Sequence, residues 1–277
     1  MAYADTLPKQ RGFGETTRPD AWWLQPLVVF LGFSAFIIYS TWAAFNPLSN
    51  GLCAYWFNGN GANYLSPFFS PEIFGCSPHA IFGPKPGWWP AWLAFSPAFL
   101  VLWAPAGFRF TCYYYRGAYY KSFWADPINC AVGEPRKAFL GERSFPLILQ
   151  NVHRYMFYLA ALFIVILSYD AWLGMWFTDL TGKEHFGIGV GTIVLMLNAI
   201  FLGLYTFGCH SLRHLIGGFL DSKSKAPTCA KAYNCVSCLN TRHMMWAWIS
   251  LFWVGFTDVY VRLCVTGKIP DFILFKF

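Results

Sequence analysis

Charge is what this chain has least of. Asp, Glu, Lys and Arg make up 12% of its 277 residues, about half the roughly 25% usual in a soluble globular domain. So few charges cannot clothe a water-facing surface, which excludes an ordinary soluble fold. Acid is scarcer than base, 13 residues against 20. The basic residues are scattered at segment ends and form no basic face, which excludes nucleic acid as a partner. The first 20 residues are polar and lack the apolar core of a cleavable leader, so none is expected. Internal repeats are also missing, which argues against the duplicated halves of many transporters. Histidine is rare: there are six, and none precedes His79.

Apolar and aromatic side chains are abundant. Hydrophobic residues reach 56% and aromatics 21%, with 14 Trp and 29 Phe. This is the composition of an integral membrane protein. Long apolar runs predict an all-α bundle of five transmembrane helices, at about 22–45, 89–113, 146–176, 188–217 and 239–266. Each has roughly the 20 residues needed to cross a bilayer. The whole chain, 1–277, reads as one membrane domain with a long loop at 46–88. Pro97 and Pro105 should kink the second helix. Of the 20 Lys and Arg, 15 fall in the N-terminus, in 109–154 and in 213–242. Positive charge marks the cytoplasmic side, so the N-terminus is expected there and the 46–88 loop outside.

That orientation sorts the nine cysteines. Cys53 and Cys76 are the only pair in an outer loop and should form a disulfide, since disulfides persist on the oxidising side. Cys112, Cys130, Cys209, Cys229, Cys235 and Cys238 fall on or near the reducing side and should be free or metal-bound. Cys264 should pack in the core.

The chemistry gathers in one stretch, FGCHSLRHLIGGFLDSKSKAPTCAKAYNCVSCLNTRH, residues 207–243. His210 and His214 are four apart, so a helix presents both on one face. Cys235 and Cys238 form a C-x-x-C pair, a common thiolate chelate. Histidines at the edge of an apolar span are functional candidates because ionisable groups there are costly. Three groups suit these residues. A Rieske-type [2Fe–2S] cluster takes two His on one iron and two Cys on the other. Zinc takes the same four ligands. Haem b takes two His from different helices, so His210 and His214 cannot both serve one haem. Spacing favours His210, His214, Cys235 and Cys238 as metal ligands, with Cys209, His153 and His243 as reserves. Arg154, Trp246, Tyr113 and Tyr114 are candidates to line a quinone headgroup site. Asp258 and Arg262, at i,i+4, should pair inside the bundle.

The segments NVHRYMFYLA, FGCHSLRHLIGGF and CVSCLNTRHMMWAWISLFWVGFTDVYVRL resemble the membrane anchor of actinobacterial succinate dehydrogenase, the mycobacterial type with a single anchor. The resemblance implies a multi-pass protein of the bacterial inner (plasma) membrane. It implies a flavoprotein and an iron–sulfur subunit as partners, with the succinate site on a partner. It implies electron delivery to a membrane quinone, menaquinone, with lipid around the helices. Anchors of the wider family hold haem b, but the first two helices here lack histidine. The single-anchor group is associated instead with a membrane-embedded Rieske-type [2Fe–2S] cluster.

Overall fold

The computed structural model describes residues 12–136, 143–145, 147–218 and 226–277. The chain forms two compact units, one of Met1–Ile37 with Arg109–Val152, the other of Ile38–Phe108 with His153–Phe277.

In chain order, α1 (Leu24–Phe45) is followed by two short antiparallel hairpins. These are β1 (Leu48–Ser49) with β2 (Leu52–Cys53), and β3 (Trp56–Phe57) with β4 (Tyr64–Leu65). Three helices follow, α2 (Ala98–Val101), α3 (Trp103–Thr111) and α4 (Tyr113–Trp124). A 3-10 segment at Leu147–Val152 leads into α5 (His153–Leu173), then β5 (Trp176–Thr178), β6 (Glu184–Gly189) and α6 (Val190–Phe207). The chain finishes with α7 (His210–Gly217), α8 (Pro227–Thr241), α9 (His243–Val265) and β7 (Ile273–Lys276).

Two expectations need correction. The single helix expected over 89–113 is not there. Its residues begin in turns and then form α2 and α3, too short to cross a bilayer. Pro105 has no N–H to give to Val101, which breaks the ladder. Cys112 takes extended backbone angles, φ −65° and ψ 132°, before α4 begins. Among the described residues, four helices have the length and apolarity to span a membrane: Leu24–Phe45, Leu147–Leu173, Val190–Phe207 and His243–Val265. Nor is the protein all-α. β5, β6 and β7 form an antiparallel sheet, because TDLTGK is a turn. Asp179 accepts hydrogen bonds from the Thr181 and Lys183 backbone N–H groups at 2.8 and 3.0 Å. Gly182 supplies φ +82°, which L side chains rarely adopt. These bonds hold the Asp179 carboxyl far below its ordinary range, the Thr181 hydroxyl contributing most.

Two further expected helices are each divided. The 188–217 segment bends at Cys209, whose extended angles, φ −70° and ψ 144°, end α6 and start α7. The expected 239–266 helix begins earlier, as α8, and turns at Arg242 into α9. The call on Pro146 as a helix start lies outside the described residues.

In the second unit, α6 packs against both α5 and α9. α5, α6 and α9 share a hairpin end, where β5–β7 lie, and a histidine end, where His153, Cys209 and His243 lie. Buried charge is concentrated at the hairpin end. Asp258 is wholly buried and accepts from Tyr39 Oη at 2.6 Å, from the Ser66 hydroxyl and from Arg262 Nε at 2.7 Å. Arg262 spends its other N–H groups on the carbonyls of Ala43 and Asn46, at 2.8 and 2.6 Å. It thereby caps the C-terminus of α1 with positive charge. Asp271 accepts from Tyr64 Oη, Tyr260 Oη and the Gly191 N–H. Glu72 accepts from Tyr55 Oη at 2.7 Å, and Asp170 from the Ser70 hydroxyl. A disulfide joins Cys53 to Cys76, with Cα atoms 5.9 Å apart.

In the first unit, Phe33 meets Tyr115 edge-on at 5.0 Å and Phe30 meets Phe123 at 4.8 Å. Asn129 Nδ2 donates to the Trp22 carbonyl at 3.0 Å, and Arg136 pairs with buried Asp126 at 3.0 Å.

Candidate redox site at the histidine end

His153 opens α5 and is buried. Its ring lies flat on Phe108, centroids 4.7 Å apart and planes 9° apart. Its Nε2 is 2.9 Å from Cys209 Sγ. That sulfur, only 2% exposed as part of its residue, also accepts the Ser211 N–H at 3.4 Å and so caps α7. The break between α6 and α7 is what turns the thiol inward. Phe108 in turn meets Tyr205 edge-on at 5.5 Å, and Tyr205 stacks on His243 at 4.9 Å and 19°. A buried thiol and two imidazoles are thus linked through two aromatic rings. Asn240 Nδ2 donates to the Gly208 carbonyl at 2.9 Å, pinning α8 to the same break.

One turn into α9, the Trp246 indole N–H is buried without a hydrogen-bond partner among the described residues. Phe201 stacks on it at 6.5 Å. Midway along α6, Asn198 Oδ1 is buried in the same state.

His210 and His214 come together on α7, rings 4.4 Å apart and nearly perpendicular. Both are exposed. Partial desolvation, then His214, then Arg213, lower His210 below its ordinary range, which leaves a neutral imidazole at pH 7. α7 packs on α8 through Arg213 Nε and Tyr233 Oη at 2.9 Å. Cys235 and Cys238 lie on the exposed side of α8. Among the described residues, the one trio of His, Cys, Asp or Glu ligand atoms mutually within 4.8 Å is Cys53, Glu72 and Cys76, and its sulfurs are bonded to each other. Neither the four ligands favoured by spacing nor the reserves Cys209, His153 and His243 form such a trio among the described residues.

The quinone candidates divide between the units. Arg154 is exposed on α5 and Trp246 sits on α9. Tyr113 and Tyr114 belong to the first unit, where they line a cavity of about 350 Å³ with Gln25 and Lys121. There the Arg116 guanidinium lies over the Tyr113 ring, 4.4 Å from its centroid.

Residues 24–267 match the family of the actinobacterial succinate dehydrogenase subunit SdhC. The chain belongs to that family. It is therefore a membrane-anchor subunit, multi-pass, of a succinate dehydrogenase. Among solved structures it is similar to a chain titled "Mycobacterium smegmatis Sdh1 complex in the apo form". The two share 42% identity over 97% of each chain, with a TM-score of 0.83. No curated protein matches.

The linking rings escaped the sequence reading. Phe108 and Tyr205 are two aromatics among 58 (14 Trp, 15 Tyr and 29 Phe), and nothing in their spacing sets them apart. Asn198 did leave a signal: a polar amide inside an apolar anchor helix is a candidate by cost alone.

Proposed function

We propose that this SdhC-family anchor passes electrons from the iron–sulfur subunit of succinate dehydrogenase to a membrane quinone through a Rieske-type [2Fe–2S] cluster held at the histidine end. The observation that carries this is the buried His153–Cys209 contact, with His243 reached through Phe108 and Tyr205. A neutral imidazole and a thiolate are the donor types such a cluster takes. Burial suits a carrier that must exclude water. His153, Cys209 and His243 are the ligands favoured on this ground over the exposed His210, His214, Cys235 and Cys238.

When bound, such a cluster supplies a one-electron carrier at roughly −150 to +300 mV, against about −400 mV for all-thiolate plant-type clusters. That range suits delivery from succinate to quinone. The chain's own residues do the rest. Phe108 and Tyr205 hold the two imidazole planes by stacking. The Cys209 backbone aims the sulfur inward. The unpartnered Trp246 N–H gives a quinone carbonyl a donor, and Arg154 at the surface gives a second. α7 and α8 present the exposed His and Cys pairs to the iron–sulfur and flavoprotein partners. The N-terminus and this end face the cytoplasm on the charge rule.

The test is low-temperature EPR and quinone reductase assays on the intact complex. His153→Ala and Cys209→Ser should each abolish the reduced-cluster signal and quinone reduction. Succinate oxidation by a soluble dye should persist. An unchanged signal in both, with its loss in His210→Ala/His214→Ala, returns the site to the surface set. A haem absorption band in the purified complex overturns the cluster reading.

A further inference from the structure

A cavity of about 600 Å³ opens at the hairpin end of the second unit, the opposite end from His153 and His243. Its walls are aromatic: Trp56 from β3, Tyr169 and Trp172 from α5, and Trp176 from β5. Trp172 and Trp176 meet edge-on at 5.8 Å. Glu184, exposed on β6 beside them, is the one charged side chain in the lining. No Lys or Arg lines it.

Of the polar side chains in the wall, Asn63 is already committed. Asn63 Oδ1 takes the Trp56 indole N–H at 2.9 Å and lies 2.6 Å from His79 Nε2. Burial lowers His79 below its ordinary range, so it is neutral at pH 7 and adds no positive charge. The cavity therefore offers π faces, one carboxylate and the uncharged polar side chains of Asn58 and Thr178, with no lining Lys or Arg among the described residues to answer an anion. It lies at the C-terminal end of α5, the end of a helix long and apolar enough to cross a membrane, and the ends of such helices meet lipid headgroups. Aromatic faces backed by a carboxylate attract organic cations, because the ring quadrupole is negative above its plane.

We propose that this cavity binds an alkylammonium group, either the amine of a lipid headgroup or a free amine. Glu184 neutralises the charge, and Trp172 and Trp176 stack against it. The site is independent of any cluster at the histidine end.

Two arms of one experiment test it on the intact complex. In the first, the complex is placed in nanodiscs of mixed phosphatidylglycerol and phosphatidylethanolamine, and lipid retention is read by native mass spectrometry. Phosphatidylethanolamine should be retained selectively, and both Glu184→Gln and Trp172→Leu should cut retention roughly tenfold. In the second, ethanolamine is titrated into complex held in phosphatidylglycerol alone, and tryptophan fluorescence is followed. Saturable quenching lost in Glu184→Gln assigns the site to a free amine. Glu184→Asp keeps the charge and should retain binding in whichever arm responds. Trp172 is half exposed on a separate element, so it tests the cage even where a change at Glu184 disturbs the sheet. Retention or quenching that both variants leave intact overturns the proposal. So does an absence of response in both arms, or displacement of the bound species by an uncharged quinone equally in wild type and Glu184→Gln.

Discussion

At the hairpin end of the second unit, four buried carboxylates each meet hydroxyl or N–H donors. At the histidine end, the buried polar groups include the Cys209 thiol, the His153 imidazole and the Trp246 indole N–H. The indole has no partner among the described residues. The first end spends its polar groups on holding loops, hairpins and the end of α1 in place. The second joins its thiol and imidazoles through aromatic rings. A buried carboxylate without donors is costly, so donors there are structural. A neutral indole N–H costs far less to leave unpartnered, which suits it to a site that takes a ligand.

The sharpest way to break this contrast is at Asp258. Asp258→Ala leaves the Arg262 guanidinium buried beside an empty carboxylate position, and removing one member of a buried pair costs about 3–5 kcal/mol. The complex should then accumulate poorly, with α1 detaching first in hydrogen exchange. A wild-type melting temperature would mean that the carbonyls of Ala43 and Asn46 alone hold the arginine.

A smaller effect is expected from the loop staple. Cys53→Ser/Cys76→Ser opens the link between β2 and the segment around Glu72, typically worth about 2–4 kcal/mol. Proteolysis within 46–88 should speed up, while the EPR signal and quinone reduction stay as in wild type. Loss of activity in step with the loop would show that the two ends are coupled.

The smallest change should come from Asn198→Leu. Removing a buried amide whose oxygen has no partner among the described residues, and filling its place with a similar apolar volume, is nearly neutral, within about 1 kcal/mol. A loss of several kcal/mol would show that the amide is satisfied by bound water or ligand, and would end its place on the open side of the contrast.

The sequence carried the apolar spans of α1, α5, α6 and α9 because 18 or more low-charge residues leave few alternatives. It also carried the i,i+4 geometry of Asp258 with Arg262 and of His210 with His214. Both need only a helix. The β5–β6–β7 sheet was hidden because β7 is four residues long and pairs with a strand more than 80 positions earlier. The break at 98–112 was half visible. Pro105 announced a kink, but the extended Cys112 has no compositional signal. The candidate site was legible in its residue types and not in its pairing. His153 meets Cys209 across 56 positions, a tertiary contact that local spacing cannot encode. The exposure of Cys235 and Cys238 likewise belongs to the fold and leaves no mark in their spacing.

β6 receives its two neighbours at very different times during synthesis. β5 is made just before it and can pair at once through the Asp179 turn. β7, on its other edge, emerges only after α6 to α9. For that whole interval β6 presents an unpaired edge of N–H and C=O groups, the kind that recruits stray strands. Asp271, which bonds Gly191 at the start of α6 as well as Tyr64 and Tyr260, emerges together with β7. Completion of the sheet and neutral packing of that helix start are therefore one late event. Chains stalled before residue 271 should be the ones that quality-control proteases remove.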